Sequence, residues 1–210
     1  TWDQIRNFLN EGGMVGQHTS THLHMPMSSN DIIKKDILNS HKSFVKELGF
    51  IPELFAYPYG ETSIEVINIL KEFNISHAFG QHSGVISVYD NEYYLPRFSL
   101  NEQFGDIDRF IFAAKSLPIV IEDFIPSEMY LIENSKPKIE FTIKTDIDID
   151  QLNCFANPGG NWSSQEITYI TETRVQILLS DHLKSGRARI NCTVQKDKNW
   201  HWFGYQFLIK

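Results

Sequence analysis

Apolar residues recur at helical spacing through the first half of the chain and then switch to strict alternation. Trp2, Ile5, Phe8 and Leu9 mark a first helix that Gly12-Gly13 would stop. Thr1 and Gln4 have the spacing of a capping box at its start. Met14-Val15-Gly16 then reads as a short strand. After it, Ser28 or Ser29 would cap a helix carrying Ile33, Ile37, Phe44 and Leu48 on one face, with Gly49 as its stop. The pattern continues with a strand over 54–57 and a helix from the cap Ser63 through Val66, Ile67, Leu70 and Phe73. Strands over 76–79 and 94–100 follow, and 106–114 reads as a closing helix. Strands alternating with helices in this way predict an α/β fold wound around a parallel sheet.

From Leu117 onward the period becomes two. Ile139, Phe141 and Ile143 alternate, as do Val175, Ile177 and Leu179; Ile190, Cys192 and Val194; and Phe203, Tyr205, Phe207 and Ile209. Turn signals at 157–161, 185–186 and 197–199 separate these runs. The second half is therefore expected to be all-β, an antiparallel β-sandwich of immunoglobulin-like size. This places one domain at 1–117 and another at 118–210, with the proline-bearing stretch 117–136 as their linker.

Composition narrows the function classes. The 19 basic and 26 acidic residues give a net charge of −7 with no basic block, which argues against nucleic acid as a partner. No apolar run of about 18 residues exists, so no membrane span is expected. The chain opens inside a helix signal, without Met or leader, and reads as the remainder of a longer polypeptide.

The chemistry-bearing stretch is His18-Thr19-Ser20-Thr21-His22. Two imidazoles four residues apart at a strand end can converge on one divalent transition ion. Thr19 stands where a zinc peptidase would have Glu, so that motif is excluded. A second stretch, Phe55-Ala56-Tyr57-Pro58-Tyr59-Gly60, reads as a buried strand ending in a turn.

Taken together, His-Thr-x-x-His and Phe-x-x-Pro-Tyr-Gly resemble the polysaccharide deacetylase (NodB-like, carbohydrate esterase family 4) domain. Ala78-Phe79-Gly80 and Tyr94-Leu95-Pro96-Arg97 fit the same resemblance, which covers about the first half of the chain. It implies the later units of an irregular (β/α) barrel and a hydrolase that removes acetyl groups from N-acetylhexosamine units of a glycan. Such an enzyme would use Zn2+, or another divalent ion such as Co2+, with His18 and His22 as metal ligands. Tyr59 would offer its backbone N–H to the developing oxyanion. His82 is the candidate for the proton donor to the leaving amine, and Arg97 the candidate for the orienting arginine that Ala56 replaces. Tyr57 and His24 are candidates for substrate contact.

The family's third ligand and general base are a pair of aspartates on a strand ahead of the His motif, and no such segment is found here. A catalytically incomplete glycan-binding or assembly protein is therefore the alternative. The resemblance also implies a glycan partner and a cell-envelope, periplasmic or extracellular setting; a homo-oligomer is compatible with it.

Three features of the second half remain. Asp146-x-Asp148-x-Asp150 is not a calcium loop, because Gln151 and Asn157 stand where Gly and Glu are needed. Trp200 and Trp202 fall on the face opposite Phe203, Tyr205 and Phe207. They could meet a sugar ring, though a second packed face is the plainer reading. Cys154 and Cys192 both point into the predicted core, where a bridge and two buried thiols are each compatible. The lack of any other cysteine tips the expectation to thiols.

Overall fold

The computed structural model describes residues 1–102 and 104–210. These divide into two compact units, the first comprising residues 1–80 and 92–95, the second residues 81–91 and 96–210. The division therefore falls earlier in the chain than the change of hydrophobic period near Leu117.

The first unit holds helices α1 (Trp2–Asn10), α2 (Asn30–Leu48) and α3 (Ile64–Lys71) with strands β1 (Leu54–Ala56) and β2 (His77–Phe79). Local signals set the helix ends. Thr1 and Gln4 form the expected capping box, Ser63 accepts from the Val66 N–H, and Gly49 takes the left-handed conformation at φ 80° that ends α2. Apolar positions then define the buried faces: Ile33 and Ile37 on α2, and Val66, Ile67, Ile69 and Leu70 on α3.

β1 and β2 pair in parallel, Phe55 opposite Ala78. Met14–Gly16 forms no strand; the extended segment contributes a single parallel bridge, Gln17 to Phe55. Gln17 is 1 % exposed and anchors the segment through its backbone to Leu54 and Ala56 and through its side chain to the Pro52 carbonyl. Residues 94–100 likewise form no strand. Leu95 alone bridges Phe79, although backbone bonds from Ala78 to Glu92 and from Gly80 to Leu95 complete that edge.

In the second unit, α4 (Ile107–Lys115) starts at the cap Asp106. Nine strands follow: β3 (Leu117–Pro118), β4 (Ile121–Ile125), β5 (Tyr130–Leu131), β6 (Ile139–Ile143), β7 (Asn153–Asn157), β8 (Ser163–Tyr169), β9 (Arg174–Leu178), β10 (Gly186–Lys196) and β11 (Asn199–Ile209). They form one connected ladder, β3-β11-β10-β7-β8-β9-β6-β4, with β5 also on β11. β8 joins its halves, pairing with β7 through 163–165 and with β9 through 166–169.

The stretch 117–136, expected to be a linker, supplies three of these strands. Its prolines are tolerated because β3 is a two-residue edge strand and Pro126 lies beyond the end of β4. β3 and β5 run parallel to β11, so the sheet is not purely antiparallel. The alternating residues of both halves meet in a single core that includes Phe141, Ile177, Ile190 and Phe207.

Cys154 and Cys192 occupy directly opposed positions on β7 and β10 and form a disulfide, in place of the expected thiols. The sequence placed both inside but could not show that their strands are neighbours. Residues 81–84 pack on the same unit: a Cβ at Gly204 would lie 1.8 Å from the Ser83 carbonyl oxygen, so only glycine fits there.

Candidate functional site

Four of the expected site residues gather in the first unit. Gln17 fixes the chain beside β1, and His18 follows it with Nδ1 2.7 Å from the Ala56 carbonyl oxygen. A carbonyl only accepts, so Nδ1 carries the proton of the neutral ring and Nε2 keeps the lone pair. This is how a protein typically prepares an imidazole for a metal. The His18 and His22 ring centroids lie 4.8 Å apart, and His22 meets Tyr59 edge-on at 4.5 Å. His24 stacks flat on the other partner of this group, Tyr59, at 4.1 Å and 3°.

The backbone here is unusual. Thr19 (φ 62°), His22 (φ 55°) and Tyr59 (φ 58°) all lie in the left-handed region, which costs free energy for residues other than glycine. Hydrogen bonds hold the strained loop in place. The Thr19 hydroxyl oxygen accepts from the His22 N–H at 2.9 Å. Asp36 on α2 accepts from the Ser20 N–H and from the Thr21 hydroxyl, each at 2.7 Å, and is only 5 % exposed. Glu61, 4 % exposed, accepts from His24 Nδ1 at 2.5 Å.

Asp36 and Glu61 were not singled out from sequence. Asp36 had a readable signal, since a charged residue sits among Ile33, Ile37 and Ser40 on the buried stripe of α2. A carboxylate at such a position must find donors. Glu61 follows the Pro58–Gly60 turn with nothing in its spacing to mark it.

The remaining candidates lie elsewhere. Tyr57, expected to touch substrate, is fully buried with its hydroxyl donating to the Tyr93 carbonyl at 2.7 Å. Burial pushes this phenol above its ordinary range. His82, the candidate proton donor, belongs to the second unit and is 2 % exposed. Its ring packs 6.2 Å from Tyr205, and burial, with Arg189 and Arg97 nearby, lowers its pKa to about 3. Arg97 is in the same unit, where its N–H donates to the His82 carbonyl and burial lowers its own pKa.

The residues present fit a transition metal in part. His18 and His22 are converging imidazoles with at least one tautomer set for ligation. Among the described residues, however, no group of three His, Cys, Asp or Glu side chains is placed to hold an ion. No helix among the described residues is long and apolar enough to cross a membrane.

Residues 1–78 match the family model described as polysaccharide deacetylase. No curated protein matches the chain. Among solved structures, the Streptococcus pyogenes deacetylase PplD is similar at 22 % identity and a TM-score of 0.44, over 46 % of this chain and 43 % of that one. A family 4 carbohydrate esterase from Streptomyces lividans is similar at 23 % identity and 0.35, over 37 % and 40 %. A de-N-acetylase from Aggregatibacter actinomycetemcomitans is similar at 21 % identity and 0.39, over 46 % and 47 %. This chain thus spans less than half the length of each.

Proposed function

We propose that the chain, whose residues 1–78 match the polysaccharide deacetylase model, is part of a metal-dependent hydrolase that removes acetyl groups from the N-acetylhexosamine units of a glycan, giving acetate and a free amine. The observation that carries this reading is the His18 loop. Two imidazoles converge beside Tyr59 on a strained backbone, with the His18 tautomer set by Ala56 and the loop held by Asp36.

His18 and His22 would hold the ion, Zn2+ or Co2+, through ring nitrogens. When bound, such an ion supplies a Lewis acid that activates water and polarises the acetyl carbonyl. The chain's own part is orientation. In this reading Tyr59, held in a left-handed turn, would offer its backbone N–H to the reacting carbonyl, where a fixed donor favours the developing oxyanion. Glu61 holds the His24 ring flat against Tyr59, which builds a firm wall for the substrate. In this reading the first unit is the later part of a (β/α) barrel and the nine-stranded ladder is a curled β-sandwich. The disulfide supports an oxidising setting at or beyond the cell envelope.

A second reading is a glycan-binding or assembly protein that retains the frame without hydrolysing the polymer. Acetate release from N-acetylglucosamine oligomers, measured with Zn2+ or Co2+ and again with chelator, decides between them. Chelator-sensitive release that His18→Ala abolishes supports the hydrolase. No release together with retained oligomer binding supports the second reading.

A further inference from the structure

The second unit carries a cavity of about 410 Å³ on the outer face of its sheet, within the range of small-ligand sites. Side chains on three adjacent strands form its floor. Phe155 of β7 stands opposite Asn191 of β10, and Thr193 of β10 stands opposite Trp202 of β11. The outer strands thus present aromatic rings roughly 10 Å apart, with an amide and a hydroxyl between them. Trp200, Phe112 of α4 and Trp162 from the turn before β8 form the walls. Phe112 meets the Trp202 and Trp200 rings at 5.8 and 6.2 Å, which packs one side firmly. Trp162 and Trp200 remain 45 % and 38 % exposed, a large aromatic area to leave in water.

The lining identifies the ligand by its charge. Among the described residues, none that lines this cavity is acidic or basic, although the chain as a whole carries 45 Lys, Arg, Asp and Glu (19 basic and 26 acidic) among its 210 residues. A charged ligand would lose hydration here without compensation, so an uncharged one fits. A hexopyranose is uncharged, with one face of C–H groups suited to the electron-rich face of an indole and a rim of hydroxyls suited to Asn191 and Thr193.

We propose that this face binds an uncharged stretch of glycan, stacking sugar rings on Trp162 and Trp200 and hydrogen-bonding hydroxyl or acetamido groups through Asn191 and Thr193. The inference rests on the polysaccharide reading of the first unit for the class of ligand. It would let the second unit retain the polymer on which the first unit acts.

The test is titration of the full chain with N-acetylglucosamine hexamer, followed by tryptophan fluorescence and calorimetry, with cellohexaose as a second probe. Trp162→Ala and Trp200→Ala are each expected to weaken binding at least tenfold, whereas Trp200→Phe retains most of it. His18→Ala leaves oligomer binding by this face unchanged while removing metal retention, so the two sites fail separately. Trp162 lies outside the core, which keeps its variant informative if Trp200→Ala folds poorly. Absence of binding to both oligomers overturns the proposal, as does binding that neither tryptophan variant alters. A concentration-dependent dimer that Trp200→Ala dissociates, without glycan binding, would also overturn it and make the face an interface between copies. Acetate release is scored independently: release without oligomer binding at the tryptophans sinks this inference and leaves the deacetylase reading standing.

Discussion

Replacing Asp36 by Asn tests whether the His18 loop is prepared for a metal or merely tolerated. Asp36 is buried on α2 and accepts two hydrogen bonds from the loop, one from Ser20 and one from Thr21. Hydrogen bonds to a charged acceptor contribute about 1.5–3 kcal/mol each. An asparagine keeps one oxygen and turns an N–H2 toward the other donor, so one bond is lost and the second loses its charge. The loop should then favour relaxed conformations by about 1.5–3 kcal/mol, because Thr19 and His22 no longer have their strained backbones enforced. At 1.4 kcal/mol per factor of ten, Zn2+ or Co2+ affinity falls about 10–100-fold. Competition against a chelating indicator measures this, and the Co2+ absorption spectrum reports the ligand geometry directly. Thr21→Val should show a smaller loss, and the double variant should lose less than the sum, since both act through one contact. Asp36→Asn binding metal within about threefold of the unaltered chain would refute the argument.

Three further outcomes are expected. His18→Ala or His22→Ala should each abolish metal retention, by equilibrium dialysis, and leave the strand signal of the second unit in circular dichroism unchanged; retention in either variant removes the proposed ligand pair. The disulfide closes a 38-residue separation, for which chain entropy gives about 4 kcal/mol of stabilisation. Denaturant titration of a Cys154→Ala/Cys192→Ala chain should show a large part of that loss, and thiol titration of unfolded, unreduced protein should find none. Folded His82 stays neutral to about pH 3, whereas its unfolded ring titrates near 6.5. The unfolded state therefore takes up the extra proton first, and stability falls as pH drops below about 6.5, by about 2 kcal/mol between pH 7.5 and 5. Urea titrations at the two pH values should show a flatter dependence in His82→Gln; an identical slope would exclude this buried ring as the cause.

What the sequence revealed was whatever is decided within a few residues. The Thr1–Gln4 box, the Ser63 cap and the Gly49 stop could all be read because donor and acceptor are neighbours in the chain. The inward alternation of β6, β9, β10 and β11 was legible for the same reason. What was missed depends on partners far away. Asp36 meets Ser20 across 16 residues and Glu61 meets His24 across 37, and neither distance leaves a periodic trace. The bridge needed β7 beside β10, a matter of sheet order. His82 looked like a loop histidine by its glycines and serine, yet the close approach of Ser83 to Gly204 brings that loop onto β11.

The route of the chain also limits how the molecule can be divided or exchanged. It passes between the compact units at 80/81, 91/92 and 95/96, so no single break yields two whole pieces. A fragment cut where the family match ends, at residue 78, would take Glu92 from the Ala78 N–H and strip the edge of β2. A fragment beginning at 96 would lack residues 81–91, including the carbonyl that rests on Gly204. Recombination at any one junction would thus damage both partners. The histidine loop and the tryptophan face are bound to be inherited together, and a working graft of either onto another protein must carry the crossing segment 81–95 with it.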